Sequence, residues 1–161
     1  MPLSLLEVMT PAQVLRPRVL EVEEVMRQLQ QVELPVRHHF ANTGTKRGLY
    51  GREMFIPADT VLTGKIHKYE QINVLCAGEM TVLTEQGFRR VRPPFIIVSP
   101  PGTKRIAHAH TDCVWLTVHA TPSNDVEAIE AEFIAQSEEE WQAFLEEQKK
   151  GGIPCLGEPQ R

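Results

Sequence analysis

The sequence predicts a mainly β fold: a barrel or sandwich of short strands with helices at both ends. Three observations carry this. From Val36 to Ala120, short strand-like runs are broken by Gly, Pro, Asn and Asp, and no helical period intervenes. Ahead of Pro35, the residues Val22, Val25, Met26, Leu29 and Val32 recur at helical spacing. After Thr121-Pro122 a helical apolar stripe returns. Many strands without helices between them argue for a closed or two-layered β architecture rather than alternating α/β layers.

Thr10-Pro11 reads as a helix start, a hydroxyl cap followed by proline at the first helical position. Pro17 follows soon, so that helix is expected to be short. Val19–Gln31 reads as an amphipathic helix lying on a larger body, and residues 1–34 form an N-terminal helical extension. The barrel spans 35–121. Its strands are expected at Val36–Phe40, Leu49–Ile56, Thr60–His67, Gln71–Ala77, Met80–Thr84, Gly87–Val91, Phe95–Val98, Lys104–Ala109 and Val114–Ala120. Glu85-Gln86-Gly87 is a hairpin turn between two of them. Residues 122–150 carry two helices. Asn124 caps the first, with Glu127 three residues on and Val126, Ile129 and Phe133 as its apolar stripe. Ser137 with Glu140 repeats the capping signature ahead of Trp141, Phe144 and Leu145. Lys149, Lys150 and a left-handed Gly151 suit the helix end, and 151–161 reads as a flexible tail.

The chain of 161 residues holds one domain with a real core. Its net charge of −4, with the acidity concentrated after Asp125, argues against a nucleic-acid surface. Cys76, Cys113 and Cys155 form no Cys-x-x-Cys pair, which argues against a zinc ribbon. Cys76 and Cys113 lie in apolar runs and read as small buried hydrophobes, in keeping with a reducing cytoplasm. The opening MPLSLLEVMTPAQ has no basic start and carries Glu7, so a signal peptide is not expected. No apolar run reaches membrane-spanning length. Ser99 is not flanked as a nucleophile elbow, and Gly151-Gly152 follows a helix instead of opening one, so neither a serine hydrolase nor a dinucleotide fold is indicated.

Two segments carry the chemistry. Gly64–Gly78 reads GKIHKYEQINVLCAG, and Ser99–Arg105 reads SPPGTKR. Together they resemble the paired motifs of the cupins, Gly-x5-His-x-His-x3–4-Glu-x6-Gly and Pro-x-Gly-x-x-His. The resemblance implies a cupin-type double-stranded β-helix, a jelly-roll barrel, with an N-terminal helix and two C-terminal helices. Registered on Gly78, the family's ligand positions fall on Lys65, His67 and Gln71, and that of the second motif on Arg105. One histidine of the four ligands is kept, so metal binding does not follow from the resemblance. Across Pro35–Thr121 (LPVRHHF, GLYGREMFIPADTVLTGKIHK, FIIVSPPGTKR, VWLTVHAT) the chain also resembles small cupin-like proteins of tailed phages and prophages, which implies a phage setting and a host cytoplasm.

Strand alternation divides the candidates by face. Thr63, Lys65 and His67 share one face, and Gln71, Asn73 and Leu75 share one that the cupin resemblance implies is inward. Ile72, Val74 and Cys76 then pack outward, under the helices or against a partner. On the last strand the polar alternates favour Trp115, Thr117 and His119 inward, while burial alone favours Val114, Leu116 and Val118. Two sites can be built. In the first, His67, His119 and an oxygen from Glu70, Gln71 or Glu53 hold a divalent Fe, Mn, Ni or Zn. In the second, Lys65, Arg105 and His67 form a metal-free cationic pocket, with Gln71, Asn73 and Thr117 as hydrogen-bonding groups, for a small anionic molecule; Arg52 is a further ligand-binding candidate. Such a cation cluster needs a counter-charge, from the ligand or from Glu53 or Glu70. Were the protein an enzyme, His67 and His119 would be its proton carriers. His38 and His39 fall on opposite faces of one strand with surface as the default, and His108 and His110 are loop or edge residues. The expected partners are the small molecule and further copies of the chain, as a homodimer or higher oligomer, with neither nucleic acid nor membrane. The rival readings are an interaction or sequestering protein whose barrel is filled by Trp115, Leu75 and Met54, and a metal-dependent oxygenase or isomerase.

Overall fold

A computed structural model describes residues 11–42 and 47–151. The order is helix α1 (Pro11–Met26), then strands β1 (Val36–Asn42), β2 (Gly48–Ile56), β3 (Val61–Thr63), β4 (Ile66–His67), β5 (Gln71–Ala77), β6 (Met80–Thr84), β7 (Gly87–Val91), β8 (Phe95–Ser99), β9 (Ile106–Ala109) and β10 (Cys113–Ala120). Helix α2 (Val126–Phe133), strand β11 (Ile134–Ala135) and helix α3 (Glu138–Lys150) complete it. The strands form a five-stranded sheet β1-β2-β10-β5-β8, a four-stranded sheet β3-β9-β6-β7 and a short β11-β4 ribbon, with antiparallel pairing throughout. The two larger sheets face each other as a jelly-roll sandwich. Between them lies the main core, with Ile56, Leu75, Met80, Val82, Ala109 and Cys113 at 2% exposure or less.

Glycine sets one corner of this frame. Gly78 closes β5 at φ +87°, and a Cβ there would strike the Asp112 carbonyl and the Cys113 sulfur. Only glycine tolerates both the backbone and the approach. The β6–β7 hairpin turns through Glu85-Gln86, with Gly87 at φ +100° opposite Thr84.

Several elements depart from expectation. The expected strand Thr60–His67 divides at Gly64-Lys65, whose backbone leaves the four-stranded sheet and joins β11. The Gly64 N–H donates to the Arg105 carbonyl, and Lys104 Nζ donates to the Gly64 carbonyl at 2.6 Å. Strand β11 had no signal of its own: two residues between helices show no period. Its pairing with β4 places α2 across one end of the barrel.

Helix α1 runs through Pro17 instead of stopping there, and Thr10 lies outside the described residues. Tertiary anchors outweigh the local break. Arg16, 4% exposed, pairs with Glu138, donates to the Gly102 carbonyl and lies over the Trp141 ring. Val19 is 1% exposed, and Glu23 takes bonds from Lys104 and Thr63. The docked face is thus Arg16–Val19–Glu23, while Val22 and Val25 of the expected apolar stripe are exposed. The helix ends at Met26, short of Gln31, whose side-chain amide caps the Met26 and Leu29 carbonyls.

At the other end Asp125, one residue beyond Asn124, caps α2 through the Glu127 and Ala128 N–H groups, and Ser137 caps α3. Gly151 ends α3 at φ −73°, right-handed rather than left-handed. Trp141 is buried within the chain at 4% exposure. Cys113 is buried, but Cys76 is exposed because it lies on the outward face of β5, and Cys155 lies outside the described residues. That outward face is uncovered by either helix region: Phe55, Ile72, Ile96 and Val98 are exposed.

Candidate functional site

The two facing sheets and α2 enclose a cavity of about 550 Å³. Strand alternation aims Tyr50, Arg52, Met54 and Ile56 into it from β2, and Trp115, Thr117 and His119 from β10. Gln71 and Asn73 enter from β5, Ser99 from the end of β8, and Arg105 from the turn before β9. Lys65 and His67 come from the crossing segment, and Ile129, Glu130 and Phe133 from α2. Lys65, His67, Gln71, Asn73, Arg52, Arg105, Thr117 and His119 therefore share one hollow. On β10 it is the polar alternates that face inward. Trp115, Leu75 and Met54 sit at one end and do not fill the barrel.

The charges are distributed unevenly. Arg105 is compensated: its guanidinium pairs with Glu85 at 2.8 Å and donates to the Leu83 carbonyl and Ser99 Oγ. Lys65 pairs with Glu130 at the rim. The counter-charges are thus Glu85 and Glu130, not Glu53 or Glu70. Glu53 points outward to His39 and Arg37, and Glu70 is exposed outside the cavity. Arg52 differs. Among the described residues it has no carboxylate partner, and its one hydrogen bond is a 3.6 Å approach to Met54 Sδ. Burial pushes its pKa below the usual value.

The neutral groups around Arg52 are half satisfied. Asn73 donates to Ser99 Oγ at 3.0 Å and accepts from Thr117 Oγ1 at 2.8 Å, a closed network. In contrast, His67 Nδ1, His119 Nδ1 and Gln71 Oε1 are buried without a hydrogen-bond partner among the described residues. Buried polar atoms are normally paired, so three orphans around one cavity mark a surface built to receive hydrogen bonds. The His67 and His119 rings stack at 5.3 Å. Burial, then His119 and the cations Arg52, Lys65 and Lys104, push the His67 pKa down to about 3. Burial alone brings His119 to about 4. Both are neutral at pH 7, each with one N–H and one lone pair.

Of the three expected metal ligands, His67 and His119 are brought together and Glu70 is not. Glu70 is outside the cavity, and no group of three His, Cys, Asp or Glu among the described residues is placed to share an ion. Two histidines with a free cation at hand do not suit a divalent ion.

The sequence pattern did not single out Tyr50; His38 is exposed, as expected, yet it also lines the cavity. Tyr50 is buried with its hydroxyl 2.7 Å from His38 Nδ1, and it stacks on His119 at 6.4 Å. Its place beside Arg52 on the inward face of β2 was the available signal. Glu130 had none, since its role depends on β11. His39 turns outward, and His108 and His110 lie on β9 and the turn after it.

No protein-family model matches the chain, and no curated protein matches it. Among solved structures it is similar to a cupin domain from Bordetella pertussis, 13% identical over 58% of this chain and 98% of that one, TM-score 0.42. It is similar to KdgF from Halomonas sp., 23% identical over 60% of this chain and 88% of that one, TM-score 0.45. It is also similar to ectoine synthase from P. lautus, 13% identical over 68% of this chain and 81% of that one, TM-score 0.48. By strand order and pairing, the fold is a mainly β jelly roll.

Proposed function

We propose that this protein binds a small organic anion inside its barrel, with the anionic group on Arg52. One observation carries the reading: among the described residues, Arg52 is a cavity-lining guanidinium without a counter-charge, beside His67, His119 and Gln71 atoms that have no hydrogen-bond partner there. A half-buried cation is unfavourable unless something anionic completes it. Arg105 and Lys65, already paired, tune the field and do not hold the ligand directly. If the ligand is turned over, the neutral His67–His119 pair carries the protons and Arg52 stabilises developing negative charge.

The open cavity supports this reading over a filled, vestigial barrel. The test is a thermal melt against carboxylates, phosphates and nucleotides, with native mass spectrometry of the purified protein. Binding at a hundred times the dissociation constant adds about 2.7 kcal/mol of stability. No stabilisation by any anion would end the proposal. The resemblance to phage-encoded cupin-like proteins adds a host-cytoplasm setting to the proposal. Self-association has a surface in the exposed Phe55, Ile72, Ile96 and Val98, and sedimentation of Ile72→Glu against the parent chain tests it.

A further inference from the structure

The cavity is divided along its length, and the register of the sheets shows where. Across the five-stranded sheet, one row places Arg52 beside Thr117 and Thr117 beside Asn73. The next row places Met54 beside Trp115 and Trp115 beside Leu75, and beyond it Ile56 pairs with Cys113. The opposite sheet changes character in step. Thr63, Lys65 and Arg105 line the half facing Arg52, while Leu62, Ala107, Val82 and Met80 line the other. The contact from Arg52 Nη1 to Met54 Sδ marks the boundary. Every charged side chain of the lining lies on the polar side, and the far end runs into the main core.

Resting on the anion reading above, we infer that the ligand is amphipathic: a carboxylate-type head on Arg52 and an unbranched or aromatic apolar body lying against the partly buried Met54, Leu62, Ala107 and Trp115, over a floor formed by the core residues Ile56, Met80 and Val82. A cavity of about 550 Å³ far exceeds an inorganic anion, whose size is nearer the roughly 30 Å³ of one water. A ligand polar along its whole length would leave its far groups unpaired against apolar walls, which is unfavourable. An apolar body instead gains from leaving water.

The experiment titrates the full chain with n-alkanoates from acetate to octanoate, the matching n-alkanols and inorganic phosphate. Affinity is expected to rise about fourfold per added methylene until the apolar end is full. Octanoate should bind far more tightly than octanol, and Arg52→Gln should erase that difference. Octanoate but not acetate should change tryptophan fluorescence, and Trp115→Phe should remove the change. If acetate or phosphate binds as tightly as octanoate, the amphipathic inference is overturned and the anion reading stands. If octanol binds as tightly as octanoate, or no alkanoate and no phosphate binds, both fall.

Discussion

Replacing Arg52 by Gln should move stability and binding in opposite directions. The guanidinium is half-buried, has no carboxylate partner among the described residues, and its one hydrogen bond there is to the Met54 sulfur. Removing such a charge relieves desolvation that nothing compensates, so the variant should be more stable by about 1–2 kcal/mol. For a domain of this size that raises Tm by a few degrees. In the complex the same group makes charge-assisted hydrogen bonds to the anion. Losing them should weaken binding by about 3 kcal/mol, or roughly 150-fold. A third readout follows from the field. Arg52 is one of the cations holding His67 low, so its removal should raise the His67 pKa, measurable by NMR titration. Denaturant melts with and without octanoate, calorimetric titration and that pKa together test the chain of reasoning. A variant that is less stable, with anion affinity and the His67 pKa unchanged, would show that Arg52 is a structural residue and refute it.

Three further outcomes are expected. His67 and His119 have folded pKa values of about 3 and about 4, below their unfolded value of about 6.5, so the unfolded chain binds more protons as pH falls. Stability should therefore drop between pH 6.5 and 4.5 by about 1.4 kcal/mol per pH unit for each histidine. Glu23 and Glu138 join only below about 4.5, because bonds from Lys104 and Arg16 outweigh the upward push of burial. Urea melts across this range should slope in the parent and flatten in the His67→Gln, His119→Gln double variant. The Lys65–Glu130 pair is half-exposed at the rim, so Glu130→Gln should change stability by less than about 1 kcal/mol while tightening anion binding several-fold, read by titration at two salt concentrations. Gly102 has φ +77°, and an added Cβ would lie 2.6 Å from the Trp141 ring, so Gly102→Ala should destabilise by about 2 kcal/mol or more in a denaturant melt.

What the residues alone determined is which side chains of each strand share a face. Alternation is a steric property of extended backbone, so grouping Gln71 with Asn73, and Thr117 with His119, required only the run they belong to; the closing of the sheets decided that these faces are inward. The turns are local in the same sense: Gly78 and the Glu85-Gln86-Gly87 hairpin are read from conformations that glycine alone adopts at ease. The tertiary structure decided which cation stays unpaired. Lys65 meets Glu130 and Arg105 meets Glu85 only once the sheets close and β11 carries α2 over the barrel, and these separations leave no local pattern. The same holds for α1, where Arg16 and Glu23 reach partners far along the chain and carry the helix through Pro17. Periodicity follows from neighbours along the chain. Charge compensation follows from neighbours in space, and here it singles out Arg52.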